Sequence, residues 1–248
     1  MENLIVTTGA KMEPENVRLA QETARQLSSR YVERGRTALS SLREKYQAGN
    51  ILIVRHGELF LDTPAGEFFF HPSMAHVRVK NLRQGQRDHF VEAAGLRRGM
   101  SLLDCTMGLG ADAIVASYIT GSEGSVRAIE HSPLIAAIVS FGLSHPKESG
   151  EMAAAMARIE VIEAEYGDFL RRQPDHSVDV VYFDPMFRRP VWKSAALHPL
   201  RALADDRPLG HEALHEACRV ARRRVVMKEA PDSGEFARLG FSRFAGGK

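Results

Sequence analysis

The sequence predicts an α/β protein with a doubly wound, mostly parallel sheet that follows a small N-terminal α/β cap. Three observations support this fold class. From Gln86 onward, short apolar segments alternate with helical patterns, as expected of parallel strands joined by crossover helices. A glycine-rich turn follows one apolar segment, and an acidic residue with a proline follows another. Because ligands of such sheets bind at the carboxyl ends of strands, we expect both motifs at one edge.

The predicted cap covers residues 1–85. Leu4 to Thr8 is typical of a short strand, and Pro14 opens a segment whose apolar residues fall on one helical face. A second helix is predicted from Thr37 to Tyr46. Three further strands are predicted at residues 51–54, 59–61 and 67–70.

Residues 86–248 are predicted to form the main domain. The expected strands lie near residues 101–105, 125–130, 159–164, 178–183 and 222–228, with helices after most of them. Gly240 to Phe244 is predicted to add an edge strand. The segment 144–152, with its proline and glycine, is expected to form an exposed loop before an alanine-rich helix.

Composition places the chain among soluble globular proteins, because 44% of its 248 residues are hydrophobic and 26% are charged. A net charge of +2 permits nucleic-acid binding without requiring it. Cys105 and Cys218 provide neither a disulfide framework nor a metal-binding spacing. Neither a signal sequence nor a membrane-spanning run is evident. We therefore expect a cytoplasmic protein with no membrane association, no metal and no evident obligatory protein partner.

The glycine motif begins where an apolar strand ends at Asp104 and continues through Thr106, Gly108 and Gly110 into a helix. An acidic residue about twenty positions later, Glu130, is suited to bind a ribose diol. This pattern is also typical of nicotinamide or flavin dinucleotide sites. However, a carboxylate at Asp104 would repel a pyrophosphate, whereas S-adenosylmethionine has no phosphate and carries an ammonium and a sulfonium. The motif favours S-adenosylmethionine and leaves a dinucleotide as the alternative.

The second motif, Asp184-Pro185-Met186-Phe187, follows an apolar run. Enzymes that methylate an exocyclic amine of a nucleobase commonly carry an acid, a proline, a variable residue and an aromatic ring at this place. Such an amine is a poor nucleophile, and the Asp184 carboxylate and Pro185 carbonyl can hold its N–H groups. Phe187 can stack on an extruded base, which contributes about 1–3 kcal/mol. The simpler interpretation is a β-turn opened by Asp-Pro.

Two further patterns each have two interpretations. Asp168 and Phe169 follow the third predicted strand, where an acid can accept the adenine amino group and an apolar residue can cover the ring; Asp168 is also a common type of helix N-cap. His211, Glu212 and His215 match the H-E-x-x-H zinc signature of peptidases. On the predicted helix these histidines would face solvent, so we regard a zinc peptidase as a distant alternative.

Basic residues surround the second motif and extend toward the N-terminus. Arg188, Arg189 and Lys193 directly follow the predicted catalytic loop. A second stretch near the N-terminus contains Arg34, Arg36, Arg43 and Lys45. Either group can neutralise phosphates beside a docked base, and either is equally compatible with an ordinary solvated surface.

The chain resembles the bacterial small-subunit rRNA guanine-N2 methyltransferases and their Gram-positive relatives. Both motifs carry this resemblance, together with Lys193-Ser194-Ala195 and the segment from Val225 to Lys228. The resemblance covers roughly residue 68 to the C-terminus and implies a class I methyltransferase fold. It implies cofactor contacts at Ala111, Asp112, Glu130, His131, Asp168, Phe169 and Asp184. It also implies that a basic segment containing Arg78 and Lys80 precedes the methyltransferase domain and binds RNA.

Together these observations predict an S-adenosylmethionine-dependent methyltransferase that acts on guanine N2 of small-subunit ribosomal RNA. Asp184, Pro185 and Phe187 are the predicted catalytic residues, and Arg78, Lys80, Arg188, Arg189 and Lys193 are the predicted RNA-binding residues. The alternatives are a methyltransferase for adenine N6, a tRNA or a protein, and a non-catalytic module that binds the cofactor or RNA.

Overall fold

The computed structural model describes residues 3–185, 203, 207–230 and 232–243. These residues divide into two compact units. Residues 3–71, 137–142 and 203 form the first unit, and residues 72–136, 143–185, 207–230 and 232–243 form the second. Among the described residues, no helix is long and apolar enough to cross a membrane.

The first unit contains a five-stranded mixed sheet. Its strands are β1 (Leu4–Thr8), β2 (Arg30–Tyr31), β3 (Asn50–Arg55), β4 (Glu58–Thr63) and β5 (Gly66–Phe69), in the order β2-β1-β3-β4-β5. β1 runs parallel to β2 and β3, whereas β3, β4 and β5 form antiparallel hairpins. The tight turn between β3 and β4 places His56 and Gly57 at positive φ, as a two-residue hairpin requires.

The first unit also contains the helices α1 (Pro14–Gln26) and α2 (Leu39–Tyr46). Pro14 begins α1, where its missing N–H leaves no hydrogen bond unmade. Buried Ile5, Ile51 and Ile53 pack in one cluster with Leu42 of α2. The strands and helices predicted for this region are confirmed to within a few residues.

The second unit contains a parallel five-stranded sheet. Its strands are β6 (Ser101–Asp104), β7 (Ser125–Glu130), β8 (Ile159–Glu163), β9 (Val178–Phe183) and β10 (Ala221–Met227), in the order β10-β9-β6-β7-β8. All neighbouring pairs are parallel. The chain moves outward from β6 to β8, then crosses to β9 and β10 on the other side. The strand order therefore reverses between β6 and β9, where ligands bind in sheets of this kind.

Eight further helices are described, and they belong to the second unit except for residues 137–142 in one of them. They are α3 (Ser73–Arg83), α4 (His89–Ala94), α5 (Ala111–Thr120), α6 (Pro133–Ser144), α7 (Glu151–Ala157), α8 (Tyr166–Arg171), α9 (His211–Val220) and α10 (Glu235–Leu239). The predicted alanine-rich helix is confirmed as α7, but it begins at Glu151, inside the segment 144–152 that was expected to be a loop.

Both faces of the parallel sheet are covered, which explains the mainly apolar sequence of β9, in which Asp179 is the one charged residue. Val181 and Phe183 join a buried cluster with Leu170 of α8 and Ala217 of α9. Successive side chains of a strand point to opposite faces, so Tyr182 points the other way. Its ring lies 4.5 Å from the ring of Phe90 in α4. The predicted doubly wound, mostly parallel fold is confirmed.

Two local expectations were wrong. Residues 240–243 do not form a strand: Gly240 ends α10, and the Phe241 amide donates to the Phe236 carbonyl and closes the helix end. Asp168 is not a helix N-cap either. Glu165 caps α8, because its side chain accepts a hydrogen bond of 2.7 Å from the Asp168 amide, and Asp168 lies within the first turn.

The centre of the parallel sheet should be sensitive to loss of volume. Leu103 is fully buried in β6, so Leu103→Ala should lower the free energy of unfolding by about 2–5 kcal/mol. Urea denaturation followed by circular dichroism measures this change. Met74→Ala is the matched control, because Met74 is 62% exposed on α3 and its loss should change stability by no more than about 0.5 kcal/mol. Equal effects of the two changes would contradict the assigned core.

Candidate active site

The glycine motif forms a loop at the carboxyl end of β6, and hydrogen bonds tie this loop to both neighbouring strands. The Cys105 amide donates to the Tyr182 carbonyl of β9, and the Met107 amide donates to the Ile129 carbonyl of β7, each over 2.9 Å. Gly108 and Gly110 both have positive φ, which glycine adopts without strain. A Cβ at Gly108 would meet no atom within 4 Å, so the space beside this backbone is open to a ligand.

Glu130, the last residue of β7, anchors the loop from the other side. One of its carboxylate oxygens accepts from the Gly108 amide over 3.1 Å, and the other accepts from the Ser132 amide over 2.9 Å. Glu130 is buried, and burial raises the pKa of its carboxyl although these amide bonds oppose the rise. Each oxygen of a carboxylate retains further acceptor capacity, so Glu130 can bind a hydroxyl while it holds the loop.

Asp104 lies beneath the loop and is almost completely buried. Its carboxylate accepts from the Thr106 amide over 3.0 Å. Burial, and next the charge of Asp112, raise the pKa of Asp104 well above its usual range. A cationic ligand at this position would offset the cost of the buried negative charge, whereas an anionic ligand would increase it.

Asp184 joins the two motifs that the sequence singled out. Its amide donates to the Thr106 hydroxyl oxygen over 2.6 Å, across 78 positions of sequence. The parallel pairing of β6 with β9, in which Asp104 lies opposite Tyr182, makes this bond possible. The glycine loop and the Asp184-Pro185 motif therefore form one site at the point where the strand order reverses.

A charged cluster surrounds the Asp184 side chain. The Lys228 ammonium, just after β10, lies 2.6 Å from an Asp184 carboxylate oxygen and 3.6 Å from Asp112. Asp112 also accepts from the Tyr182 hydroxyl over 3.1 Å and pairs with Arg78 of α3 over 2.5 Å. These contacts link α3, α5, β9 and the end of β10.

The surroundings of Asp184 raise the pKa of its carboxyl. Burial raises the pKa of Asp184 to about 6, against the opposing effect of the nearby Lys228 ammonium. Lys228 has a pKa above its usual value, because the attraction of Asp112 and Asp184 outweighs its burial. Above pH 6, Asp184 is therefore an ionised acceptor in a site that is rich in carboxylates.

The structure brings together most of the cofactor-binding residues predicted from sequence. Those at the glycine loop or at the ends of β6, β7 and β9 are Asp104, Thr106, Gly108, Gly110, Ala111, Asp112, Glu130, His131 and Asp184. His131 is exposed, and Pro185 directly follows Asp184. Asp168 and Phe169 lie in α8 after β8, where Asp168 pairs with Arg171 and the Arg127 guanidinium lies 5.6 Å from the Phe169 ring.

The predicted RNA-binding residues differ in their surroundings. The Arg78 guanidinium is half-buried and pairs with Asp88 as well as Asp112, whereas Lys80 is exposed on α3. Phe187, Arg188, Arg189 and Lys193 lie outside the described residues. The predicted roles of all these residues, like those of the cofactor-binding residues, stay predictions.

The H-E-x-x-H segment lies at the start of α9. His211 and His215 are exposed, and Glu212 pairs with Arg171 over 3.0 Å. Ala213, Ala217 and Val220 form the buried stripe expected of this helix. In the part of the chain that the structure describes, no group of three or more His, Cys, Asp or Glu side chains is arranged to hold a metal ion.

Sequence reasoning missed Lys228 and Tyr182 as parts of the site. Lys228 belongs to a segment that carried the family resemblance, but its contact with Asp184 depends on the pairing of β10 with β9. Tyr182 lies in an apolar run and looked like a core residue only. A lysine directly after the strand that pairs with the Asp-Pro strand is the signal that could have identified Lys228.

The fold and this site define a methyltransferase that depends on S-adenosylmethionine. The chain belongs to the SAM_MT family, described as "Putative SAM-dependent methyltransferase", whose model matches residues 40–239. Membership confirms the prediction of S-adenosylmethionine over a dinucleotide. It also confirms that the chain is related to methyltransferases, as its resemblance to that class implied.

Individual relatives agree with this membership. The chain is 39% identical to the uncharacterized protein YpiP of Bacillus subtilis over 96% of this chain and 93% of that protein. It is 32% identical to ribosomal RNA small subunit methyltransferase J of Pseudomonas fluorescens (strain SBW25), over 64% of this chain and 62% of the relative. The crystal structure of the SAM-dependent methyltransferase NGO1261 from Neisseria gonorrhoeae has the same fold, with a TM-score of 0.56 and 18% identity over 90% and 83% of the two chains.

Glu130→Gln tests whether the buried carboxylate shapes the cofactor site. The two amides donate to different oxygens of Glu130, so in glutamine either the Gly108 or the Ser132 amide would face an NH2 donor instead of an acceptor. Loss of a charged hydrogen bond costs about 1.5–3 kcal/mol, so the Kd for S-adenosylmethionine in calorimetry should rise about tenfold or more. Glu163→Gln, at the exposed end of β8, should leave the Kd unchanged. Wild-type affinity in Glu130→Gln would show that Glu130 does not organise the site.

Proposed function

We propose that this protein transfers the methyl group of S-adenosylmethionine to an exocyclic amine of a nucleobase, and that the target is guanine N2 in small-subunit ribosomal RNA. The observation that carries this proposal is the Thr106–Asp184 hydrogen bond, which holds an Asp-Pro motif against the glycine loop. The relatives named ribosomal RNA small subunit methyltransferase J support RNA as the substrate class.

The site's residues fit the cofactor. The carboxyl groups of Asp104, Asp112, Glu130 and Asp184 suit a ligand with an ammonium and a sulfonium and would repel a pyrophosphate. The open backbone at Gly108 leaves room for close approach. We propose that Asp104 and Glu130 bind this cofactor, with Asp168 and Phe169 at its adenine. When bound, S-adenosylmethionine supplies an electrophilic methyl group and leaves as a neutral thioether.

Asp184 is proposed to act on the amine. An exocyclic amine of guanine is a weak nucleophile, because its lone pair is delocalised into the ring. An ionised Asp184 can accept one amine N–H, and the Pro185 carbonyl can accept the other, which orients the nitrogen and increases its electron density. After methyl transfer the nitrogen must lose a proton, and a carboxylate with a pKa of about 6 can accept it.

The RNA would be held by groups around this position. Phe187 is proposed to stack on the target base, and Lys80, Arg188, Arg189 and Lys193 are proposed to contact phosphates. Arg78 already balances Asp88 and Asp112, so its proposed contribution to RNA binding is weaker than that of the exposed Lys80.

A labelled-methyl assay tests the substrate. Purified protein is incubated with tritiated S-adenosylmethionine and either small-subunit ribosomal RNA transcribed in vitro or small ribosomal subunits from cells that lack this protein. Nucleoside analysis should find the label in N2-methylguanosine. Label in N6-methyladenosine, in a tRNA fraction or in protein would show that the substrate is one of these and not guanine N2 of ribosomal RNA. Cofactor binding without label in any of these would indicate a non-catalytic module.

Asp184→Asn should separate chemistry from cofactor binding. Asparagine keeps the size of the side chain but cannot take a proton or carry the charge, so kcat should fall about 10²- to 10⁴-fold. The Kd for S-adenosylmethionine should rise much less than kcat falls, because the carboxyls of Asp104, Asp112 and Glu130 remain in the cofactor site. Asp175→Asn is the matched control, because Asp175 is exposed before β9 and pairs with Arg219. Unchanged kcat in Asp184→Asn would contradict the proposed mechanism.

A further inference from the structure

Lys228 contacts the proposed catalytic carboxylate from a neighbouring strand. Its amide donates to the Phe183 carbonyl over 2.8 Å, which continues the pairing of β10 with β9 by one residue. Its ammonium donates to an Asp184 carboxylate oxygen over 2.6 Å. The backbone bond therefore fixes the point from which the side chain reaches Asp184.

Almost every other charged group around Asp184 is negative. Asp112, on α5, and Glu229, next to Lys228, raise the pKa of Asp184, and Asp104 at the end of β6 belongs to the same group of carboxyls. From β9, the Tyr182 hydroxyl donates to Asp112. These groups, together with burial, favour a protonated Asp184.

Two cations lie in the described part of the cluster, and they are not equivalent. Arg78, on α3, donates to Asp88 through two nitrogens and to Asp112 through a third. Lys228 lies 1.0 Å closer to Asp184 than to Asp112, at 2.6 Å against 3.6 Å. Arg78 therefore balances Asp112 and Asp88, and the Lys228 ammonium acts mainly on Asp184.

Protonation would remove what the proposed reaction needs from Asp184. A protonated carboxyl has lost acceptor capacity and cannot receive the proton that the methylated amine releases. A protonated Asp184 would also lose the ionic contact with Lys228 that now fixes one of its oxygens. A cation at the position of Lys228 maintains both the charge and the orientation.

We propose that Lys228 is a positioning residue of the methyl-transfer site, whose ammonium keeps the Asp184 carboxylate ionised and directs its second oxygen toward the amine of the substrate. This inference rests on the proposed function. Lys228 would act through Asp184 and would not touch the reacting atoms.

Lys228→Met tests the inference through the pH dependence of methylation. An opposite charge within about 4–6 Å lowers the pKa of a carboxyl by about 1–3 units, so removal of the ammonium should move the acid limb of the kcat profile upward by at least about one pH unit. Near neutral pH, kcat should fall about twofold for a shift of one unit and up to about a hundredfold for a shift of three units, and the loss should shrink at high pH. KM for the RNA should change much less than kcat.

Two further variants and the shape of the Lys228→Met profile distinguish this role from a structural one. Lys228→Arg retains the charge and should restore most of the wild-type profile. Lys11→Met removes an exposed lysine of the first unit and should leave the profile unchanged. The inference would be overturned if Lys228→Met lost activity equally at every pH and its kcat fell on the acid side at the same pH as in the wild type.

A measurement that needs no substrate separates this inference from the proposed function. Carbon-detected NMR of the aspartate carboxyls, with Asp184 assigned from Asp184→Asn, gives the pKa of Asp184 directly. A higher pKa in Lys228→Met than in the wild type supports the inference even if no RNA is methylated. An equal pKa in both proteins overturns it even if the wild type is an active enzyme.

Discussion

The parallel pairing of β6 with β9 is the constraint on which the site depends. It places Asp104 opposite Tyr182, so that the loop after β6 and the segment after β9 leave the sheet side by side. The Thr106–Asp184 bond then closes the gap between them. The strand order reverses at this pair, and sheets of this kind bind ligands in the crevice at such a reversal. Without this pairing, the two motifs would be separate turns.

Electrostatics gives the crevice its chemical preference. Asp104 and Glu130 are buried at the glycine loop, and burial raises the pKa of both carboxyls. Backbone amides of the loop offset part of the cost of burying these two carboxyls, and the cations of Arg78 and Lys228 pair with the neighbouring Asp112 and Asp184. A bound cation would offset more of this cost. The same arrangement that disfavours a phosphate therefore favours a sulfonium cofactor, in agreement with the family to which the chain belongs.

The sequence was sufficient for the fold and for the position of the site. Alternation of apolar segments with helices predicted all five strands of the parallel sheet, and the two motifs had to meet because both follow parallel strands. Residues 240–243 were misassigned because the Gly240 turn and an aromatic residue suit a strand as well as a helix end. The interpretation of Asp168 as a helix N-cap was wrong because the helix begins two residues earlier, at Tyr166, and Glu165 supplies the cap. The Lys228–Asp184 contact was missed because it requires β10 to pair with β9, and this pairing is a property of the whole sheet that has to be inferred before the position of Lys228 has meaning.

The most direct test of this account is a calorimetric titration of the purified protein with S-adenosylmethionine, S-adenosylhomocysteine and NAD in parallel. The carboxylates at the glycine loop predict binding of the first two ligands with a Kd in the micromolar range and no binding of NAD. Binding of NAD, or no heat with either of the first two ligands, would contradict the assignment of the crevice between β6 and β9 as the cofactor site.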